Sequence, residues 1–484
     1  MTFQPPITPG FSGPALCQMD AVQVVDLLRR GEVSPAEVLE ASYQRLDQVE
    51  GAVNATPIRC DDRAFAAARS LDTAGQDHPG WLAGLPVAIK DLTPVKGVRT
   101  TFATKGMADN IAKESDPLVE RLEERGAIIM GKTNTPEFGA GGNTFNDVFG
   151  ATLNPWDTRL NAGGSSGGAA ASLATGEVWL SHGSDHGGSL RTPAAYCGIV
   201  GLRPSPGRAG GSGKDLGFMI EGVQGPMART VTDCALFLDA MAGFDPRFPI
   251  SFPAPSTPFQ TAVERADDKL RIAYAPDLNG FAPVDDEMRQ HLDGVMALMA
   301  RSGATVEQTC PDLPHLEATY HTLRGQLWAA AFKNAPAAIT DHFKQTLREN
   351  TAFGRSLTVD DICDAHLHRS ALYNVMQEHF AHFDVLACPV VGNMPHPQSE
   401  EWVQHVGGQT LTGYMDWLRF AFLATVTGLP AISVPVGLGP RGVPVGLQLI
   451  GKPRGEAGLL AAARAVERAV GGPLGPIDPV VPAQ

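Results

Sequence analysis

The sequence predicts an α/β fold, a single large domain built on an open β-sheet with helices packed against it. Two observations carry that expectation. Between residues 85 and 131, short apolar runs that stop at ligand-type residues alternate with an amphipathic helical stretch, and the alternation returns at 271–301. In addition, no repeat, low-complexity tract or linker divides the chain, so 1–484 reads as one domain.

Taken in order, Asp20 caps a helix with Ala21, Val24, Val25 and Leu28 on one face, ending at Gly31. Ser34-Pro35-Ala36-Glu37 is a capping box with proline at the first helical position, and it opens a second helix. Leu85–Ile89 is an apolar strand ending at Lys90-Asp91. Asp116-Pro117 starts a helix that stops at Gly126, and Ala127–Met130 follows as a buried strand. Val178-Trp179-Leu180 reads as strand, whereas Asn154–Ala162, rich in Pro, Asp and Asn, reads as loop. Further strands are expected at Arg271–Tyr274, Phe383–Pro389, Ala431–Val436 and Val443–Ile450, with helices at Asp286–Arg301 and Ala457–Val470. Residues 313–382 read as a helical layer or cap lining a pocket, and Phe248–Pro258 as a surface excursion.

The composition narrows the function. A chain that is 43% hydrophobic with net charge −14 is a soluble globular protein, and nucleic acid or an anionic membrane is a poor partner for it. Seven scattered cysteines without CxxC spacing point to reduced thiols and a cytoplasmic setting. The N-terminal MTFQPPITPGF has neither the basic nor the apolar region of a signal peptide. The uncharged run Phe420–Leu438 is punctuated by Gly428, Pro430, Pro435 and Gly437, so a buried helix and strand are expected rather than a membrane span.

The chemistry concentrates between Asn161 and Pro193. Two glycine-flanked serine clusters, Gly163–Gly168 and Gly187-Gly188-Ser189, bracket the apolar strand, with Asp185 and Arg191 beside the second. Either cluster alone reads as a flexible loop. Together they offer a serine nucleophile, Ser189, among the backbone N–H groups of residues 186–189. Such a serine needs a base, and three candidates stand open. His186 lies in the same tight loop, His182 lies on the strand, and Lys90 ends an apolar strand where lost hydration favours the neutral amine. Gly163-Gly164-Ser165-Ser166-Gly167 also matches the G-x-S-x-G pattern of α/β-hydrolase esterases, but a loop rather than a strand precedes it. No Gly-Lys-Ser/Thr follows to make a phosphate loop. His366-Leu367-His368 and Glu378–His382 lack metal-ligand spacing, so neither metal nor cofactor is expected.

GLPVAIKD, GKTNTPEFG, NPWD, GGSSGGAAAS, GSDHGGSLRTPAAYCGIVGLRPSPGR, GPMART, TGLPAISVPVG and GVPVGLQLIG resemble, in order and spacing, the amidase signature hydrolases. The resemblance runs from about residue 20 to 470 and is weakest between about 245 and 380. It implies a central twisted, mixed β-sheet covered by helices on both faces, with a signature core at 70–240. It further implies a catalytic lysine, a serine on a cis peptide bond and a nucleophilic serine. The matching positions are Lys90, Ser165 and Ser189, separated by 75 and 24 residues. The implied oxyanion hole is formed by the N–H groups of His186, Gly187, Gly188 and Ser189, with Ser166, Asp185 and Arg191 in support. The implied activity is hydrolysis of the carbon–nitrogen bond of a small amide, anilide or urethane, with water the only other reactant and a monomer or homodimer as the working unit. A tRNA-dependent amidotransferase subunit working with partner chains is the alternative.

Three departures stand out from the family pattern. His186 replaces a common threonine, Asn161-Ala162 a common proline, and Thr101-Phe102-Ala103 a glycine–serine pair. With apolar walls expected from Trp328, Phe332 and Tyr373 and a glycine-rich loop at 207–219, an aryl amide or small carbamate is the expected substrate.

Overall fold

A computed structural model describes residues 9–71, 77–211 and 216–482. Its organising element is an eleven-stranded sheet. In chain order its strands are β1 (Ile58–Arg59), β2 (Pro86–Lys90), β3 (Ile128–Thr133), β4 (Leu180–Asp185), β5 (Val200–Arg203) and β6 (Val223–Ala228), followed by β7 (Arg271–Tyr274), β8 (Thr305–Gln308), β9 (Val385–Pro389), β10 (Ala431–Leu438) and β11 (Pro444–Gly451). Across the sheet they run β1-β3-β2-β4-β6-β5-β10-β11-β9-β7-β8. The sheet is mixed: β2 is parallel to both β3 and β4, β7 is parallel to β8 and β9, and the remaining pairs are antiparallel.

All five residues of β2 and all six of β3 are buried. Successive strand residues point to opposite faces, so burial of every one means that both faces are covered there. The expected N-terminal helices form at Ala21–Arg29 and Pro35–Val53, the second opened by the Ser34/Glu37 capping box. Phe420–Leu438 divides into a buried helix, Phe422–Thr427, and strand β10. No helix among the described residues is long and apolar enough to cross a membrane. Within 313–382 the long helices are Leu316–Ala331, Gln345–Ser356 and Val359–His379.

Two local expectations are corrected. Asn154–Ala162 is not plain loop, because Leu153–Asn154 and Asp157–Asn161 pair as a small hairpin. Asn154 drives it: its side-chain carbonyl accepts from Trp156 N–H while its amide donates to Asn161 and Tyr196 carbonyls. Val178 and Trp179 are buried but precede the strand, which begins at Leu180 and carries His182 and Asp185.

The small residues after Ser166 are explained by packing rather than by flexibility. Helix Gly167–Ala174 is buried at all eight positions. A Cβ on Gly168 would stand 2.4 Å from Asn134 N and 2.5 Å from the Ala55 carbonyl oxygen. The helix therefore lies against backbone, and its N-terminus is held at the carboxyl ends of β2 and β3. Gly168→Ala is expected to cost about 1–3 kcal/mol through this overpacking, read as a lowered urea midpoint with an unchanged m-value.

Candidate active site

The parallel register of β2 and β4 aligns Ile89 with His182, so their carboxyl ends open together. Lys90 is the last residue of β2, and Ser184 and Asp185 end β4. Sites in open α/β sheets form at this edge. The turn between the small hairpin and helix Gly167–Ala174 brings Ser165 and Ser166 to the same place, with a cis peptide bond between Gly164 and Ser165.

Lys90 is fully buried. Its Nζ lies 2.7 Å from Ser165 Oγ, 2.9 Å from Ser166 Oγ and 3.1 Å from Ser184 Oγ. None of these partners is charged. Burial therefore pushes the lysine down to about 7, with only a partial opposing pull from Asp185. The neighbouring carboxylate, Asp91, is engaged elsewhere. It pairs with buried Lys132 at 3.1 Å and accepts from Thr101 N–H and Oγ1–H.

Ser189 is half-buried and shares a cavity of about 170 Å³ with Ser165, Ser184 and His186. Its hydroxyl has no hydrogen-bond partner among the described residues, and its carbonyl accepts from Ser166 N–H at 3.3 Å. The N–H groups of His186, Gly187 and Ser189 have no acceptor among them either. Gly188 corrects an expectation. Its N–H donates to Asp185 Oδ1 at 3.1 Å, so three donors of the expected four are free. Gly188 instead serves through its backbone at φ +96°, which favours glycine.

Asp185 holds this loop. Its carboxylate takes both Arg191 Nη2 (2.9 Å) and Nε (3.0 Å), Arg203 Nη1 (3.3 Å), and the N–H groups of Gly188 and Leu190 (3.1 Å each). Burial opposes its ionisation, but the two guanidinium groups and these N–H donors hold it well below the usual carboxylate range. Arg191 reaches on to Gln448 of β11, tying the loop to the far half of the sheet.

The histidines separate clearly. His182 is buried on β4, with Nε2 2.6 Å from Gln224 Oε1, and burial lowers it to about 3. It faces Gln224 rather than a serine. His186 faces the cavity, its Nδ1 3.4 Å from both Tyr320 Oη and Arg324 Nη1, and burial with the Arg324 charge keeps it neutral.

A family model described as Amidase matches residues 37–460. The chain belongs to the amidase signature family. An acylamidase of Rhodococcus erythropolis is 33% identical over 460 residues, 92% of this chain and 94% of that protein. The amidase-like chain of a glutamyl-tRNA(Gln) amidotransferase from Moorella thermoacetica is 34% identical over 483 residues, 94% of this chain and 97% of its own. The crystal structure of a bacterial aryl acylamidase of the same family superposes with a TM-score of 0.87 at 27% identity, covering 93% of this chain and 96% of that one.

Against this amidase framework, the expected pocket walls divide. Trp328 lines the cavity with Phe138, Leu327 and Met415. Phe332 sits beside it, in an aromatic cluster with Phe138 (5.0 Å) and Phe343 (4.6 Å). Tyr373 is exposed on its helix and is no part of the wall. In the loop at 207–219, Gly207, Ala209, Gly210, Gly211, Leu216 and Met219 border an adjoining cavity, while 212–215 lie outside the described residues. Ser184, Arg203, Tyr320 and Arg324 were not found by sequence reasoning. Ser184 stands one residue before Asp185 and could have been suspected from its strand-end position; Arg324 is one arginine in an ordinary helix. Among the described residues Glu317, His321 and Asp416 gather as metal-type ligands. Arg419 Nη2 already lies 2.8 Å from Glu317 and 3.5 Å from Asp416 and supplies the positive charge there.

Asp185→Ala is expected to cost about 3–5 kcal/mol because it strands two buried arginines. Guanidinium unfolding of the variant measures the loss, and Asp185→Asn should recover part of it by retaining two of the hydrogen bonds.

Proposed function

We propose that the protein hydrolyses the carbon–nitrogen bond of small amides through an acyl-enzyme on Ser189, with Lys90 and Ser165 relaying protons. One observation carries this reading: a fully buried lysine without an acid partner stands 2.7 Å from a serine hydroxyl that shares a cavity with a second, unengaged serine.

A neutral amine has two hydrogens and one lone pair, and Lys90 has three hydroxyl neighbours. Ser166 Oγ directs its hydrogen at the Ser184 carbonyl (3.3 Å), so it accepts from the amine. The lone pair is then left for the hydroxyl hydrogen of Ser165. As Ser189 Oγ bonds to the substrate carbonyl carbon, its proton passes to Ser165 Oγ and that of Ser165 to Lys90. The carbonyl oxygen gains negative charge and takes the free N–H groups of His186, Gly187 and Ser189. The proton then returns through Ser165 to the departing nitrogen, the carbon–nitrogen bond breaks, and the amine leaves neutral. Water repeats the cycle on the ester, releasing the acid and restoring Ser189. The Ser189 hydroxyl is not bonded to Ser165 in the free site, and such contacts commonly tighten only with substrate present.

The small cavity with Trp328, Phe138 and Leu327 as walls supports a compact substrate, and the fold likeness to an aryl acylamidase supports an amide or anilide. Carbamate and ester carbonyls offer the same electrophile, so urethanase or esterase turnover follows as a side activity of the same relay. Seven unpaired cysteines, five of them buried, fit a reducing cytoplasmic setting for a chain acting alone or as a homodimer.

A second reading, an amidotransferase component working with partner chains, is favoured by the 34% identity to such a component over nearly the whole chain. Turnover of simple amides and anilides by the purified chain supports the hydrolase, while a strict need for ATP and partner chains supports the second reading.

Ser189→Ala is expected to lower kcat by at least about a thousandfold with the fold retained by circular dichroism; residual activity near wild type would refute the nucleophile. Lys90→Ala should lower it by about 10²–10⁴. Because the working lysine is the unprotonated one, kcat/KM should rise with pH and level off above about 7, and a flat profile from about pH 5 to 9 would remove the lysine from the relay.

A further inference from the structure

Arg324 is a buried cation with no counter-ion among the described residues. It lies on helix Leu316–Ala331, is 4% exposed and lines the cavity that holds Ser165 and Ser189. Its Nε donates to Asn350 Oδ1 at 3.1 Å, its Nη2 donates to Tyr414 Oη, and its Nη1 lies 3.4 Å from His186 Nδ1. All three acceptors are neutral, and none is a carboxylate. The other deeply buried arginines near the site are matched. Arg191 and Arg203 share Asp185, Arg208 has Glu456 at 3.2 Å, and Arg369 has Glu221.

A guanidinium carries five N–H donors and no acceptor, and it stays charged. Three donors are accounted for, so two face no acceptor among the described residues. Leaving a buried charge unpaired is costly, and the open side of this one is the substrate cavity. The neighbouring histidine adds a second donor. Arg324 and Tyr320 both approach His186 Nδ1, and because an arginine can only donate, Nδ1 accepts and the ring hydrogen resides on Nε2. His186 Nε2 is buried and has no partner among the described residues.

From these unmatched donors we infer that Arg324, with His186 beside it, selects amide substrates that carry a carboxylate a short distance from the scissile carbonyl. This rests on the amidase reading above and specifies its substrate. The planar fork of the guanidinium matches a carboxylate in two parallel hydrogen bonds. The spacer is short because His186 supplies both its ring, beside Arg324, and its N–H, beside the position of the scissile carbonyl oxygen. Asn350 and Tyr414 fix the guanidinium plane, so the anion is met by a preformed site. The apolar wall of Trp328 and Leu327 then covers the spacer rather than its charge.

The test uses matched pairs. Monoamides of the dicarboxylic acids from malonic to adipic are assayed with the purified full chain, each against its diamide, which keeps the shape and removes the charge. For the best-fitting length the monoamide should have the higher kcat/KM by about tenfold or more, as expected for charge-assisted hydrogen bonds. In Arg324→Met the ratio should fall to about one, and Arg324→Lys should retain part of it. The same pairs are titrated calorimetrically into Ser189→Ala, where binding of the monoamide should be tighter by a similar factor, and Ser189→Ala/Arg324→Met should lose the difference. Equal kcat/KM for monoamide and diamide at every length removes the role of Arg324 while leaving the amidase reading intact, and needs no variant to fold. If no amide is turned over, that reading fails, and the calorimetric comparison decides the inference by itself: no tighter binding of any monoamide rejects it.

Discussion

The structure depends on keeping one amine out of water and away from acids. Lys90 achieves this through the pleat of its strand. Lys90 and Asp91 are consecutive and point to opposite sides, so the nearest carboxylate in sequence turns away and is neutralised by Lys132 at 3.1 Å. The nearest acid on the lysine's own side, Asp185, belongs to Arg191 and Arg203. Three serine hydroxyls remain around the amine. They solvate it without charge, and a lysine in that setting loses its proton near neutrality.

Everything nearby positions those hydroxyls. Helix Gly167–Ala174 must lie against backbone to carry Ser165 and Ser166 to the lysine, which explains its run of glycine and alanine. The second serine loop is shaped by Asp185, whose carboxylate draws in the Gly188 and Leu190 N–H groups and leaves those of His186, Gly187 and Ser189 facing the cavity. Through Arg191 and Gln448 the loop is also tied to β11, on the other half of the sheet. Eleven strands are thus used to hold a few atoms in place, and the helix Leu316–Ala331 closes the remaining side with Arg324, Leu327 and Trp328.

The likeness to both an acylamidase and an amidotransferase component follows from this division of labour. The buried lysine and the serine loops lie in the signature core, where the motifs are dense. The walls that meet the substrate come largely from 313–382, where the resemblance is weakest. Chemistry and selectivity therefore reside in different parts of the chain.

The strands and caps with local causes were legible in the sequence. Proline at a helix start, a capping box and a uniformly apolar strand each act over a few residues, so Pro35–Val53, β2 and β3 stood where expected. The pairing of Lys90 with Ser165 followed from recognising motifs, since nothing local links positions 75 apart. Tertiary structure alone decided the rest. It gave the Gly188 N–H to Asp185, exposed Tyr373, made a hairpin within Asn154–Ala162, and left Arg324 without a carboxylate at the cavity. Periodicity and spacing report what a residue does to its own backbone, whereas the partner of a buried charge or a free N–H is set by whichever distant segment the fold brings against it.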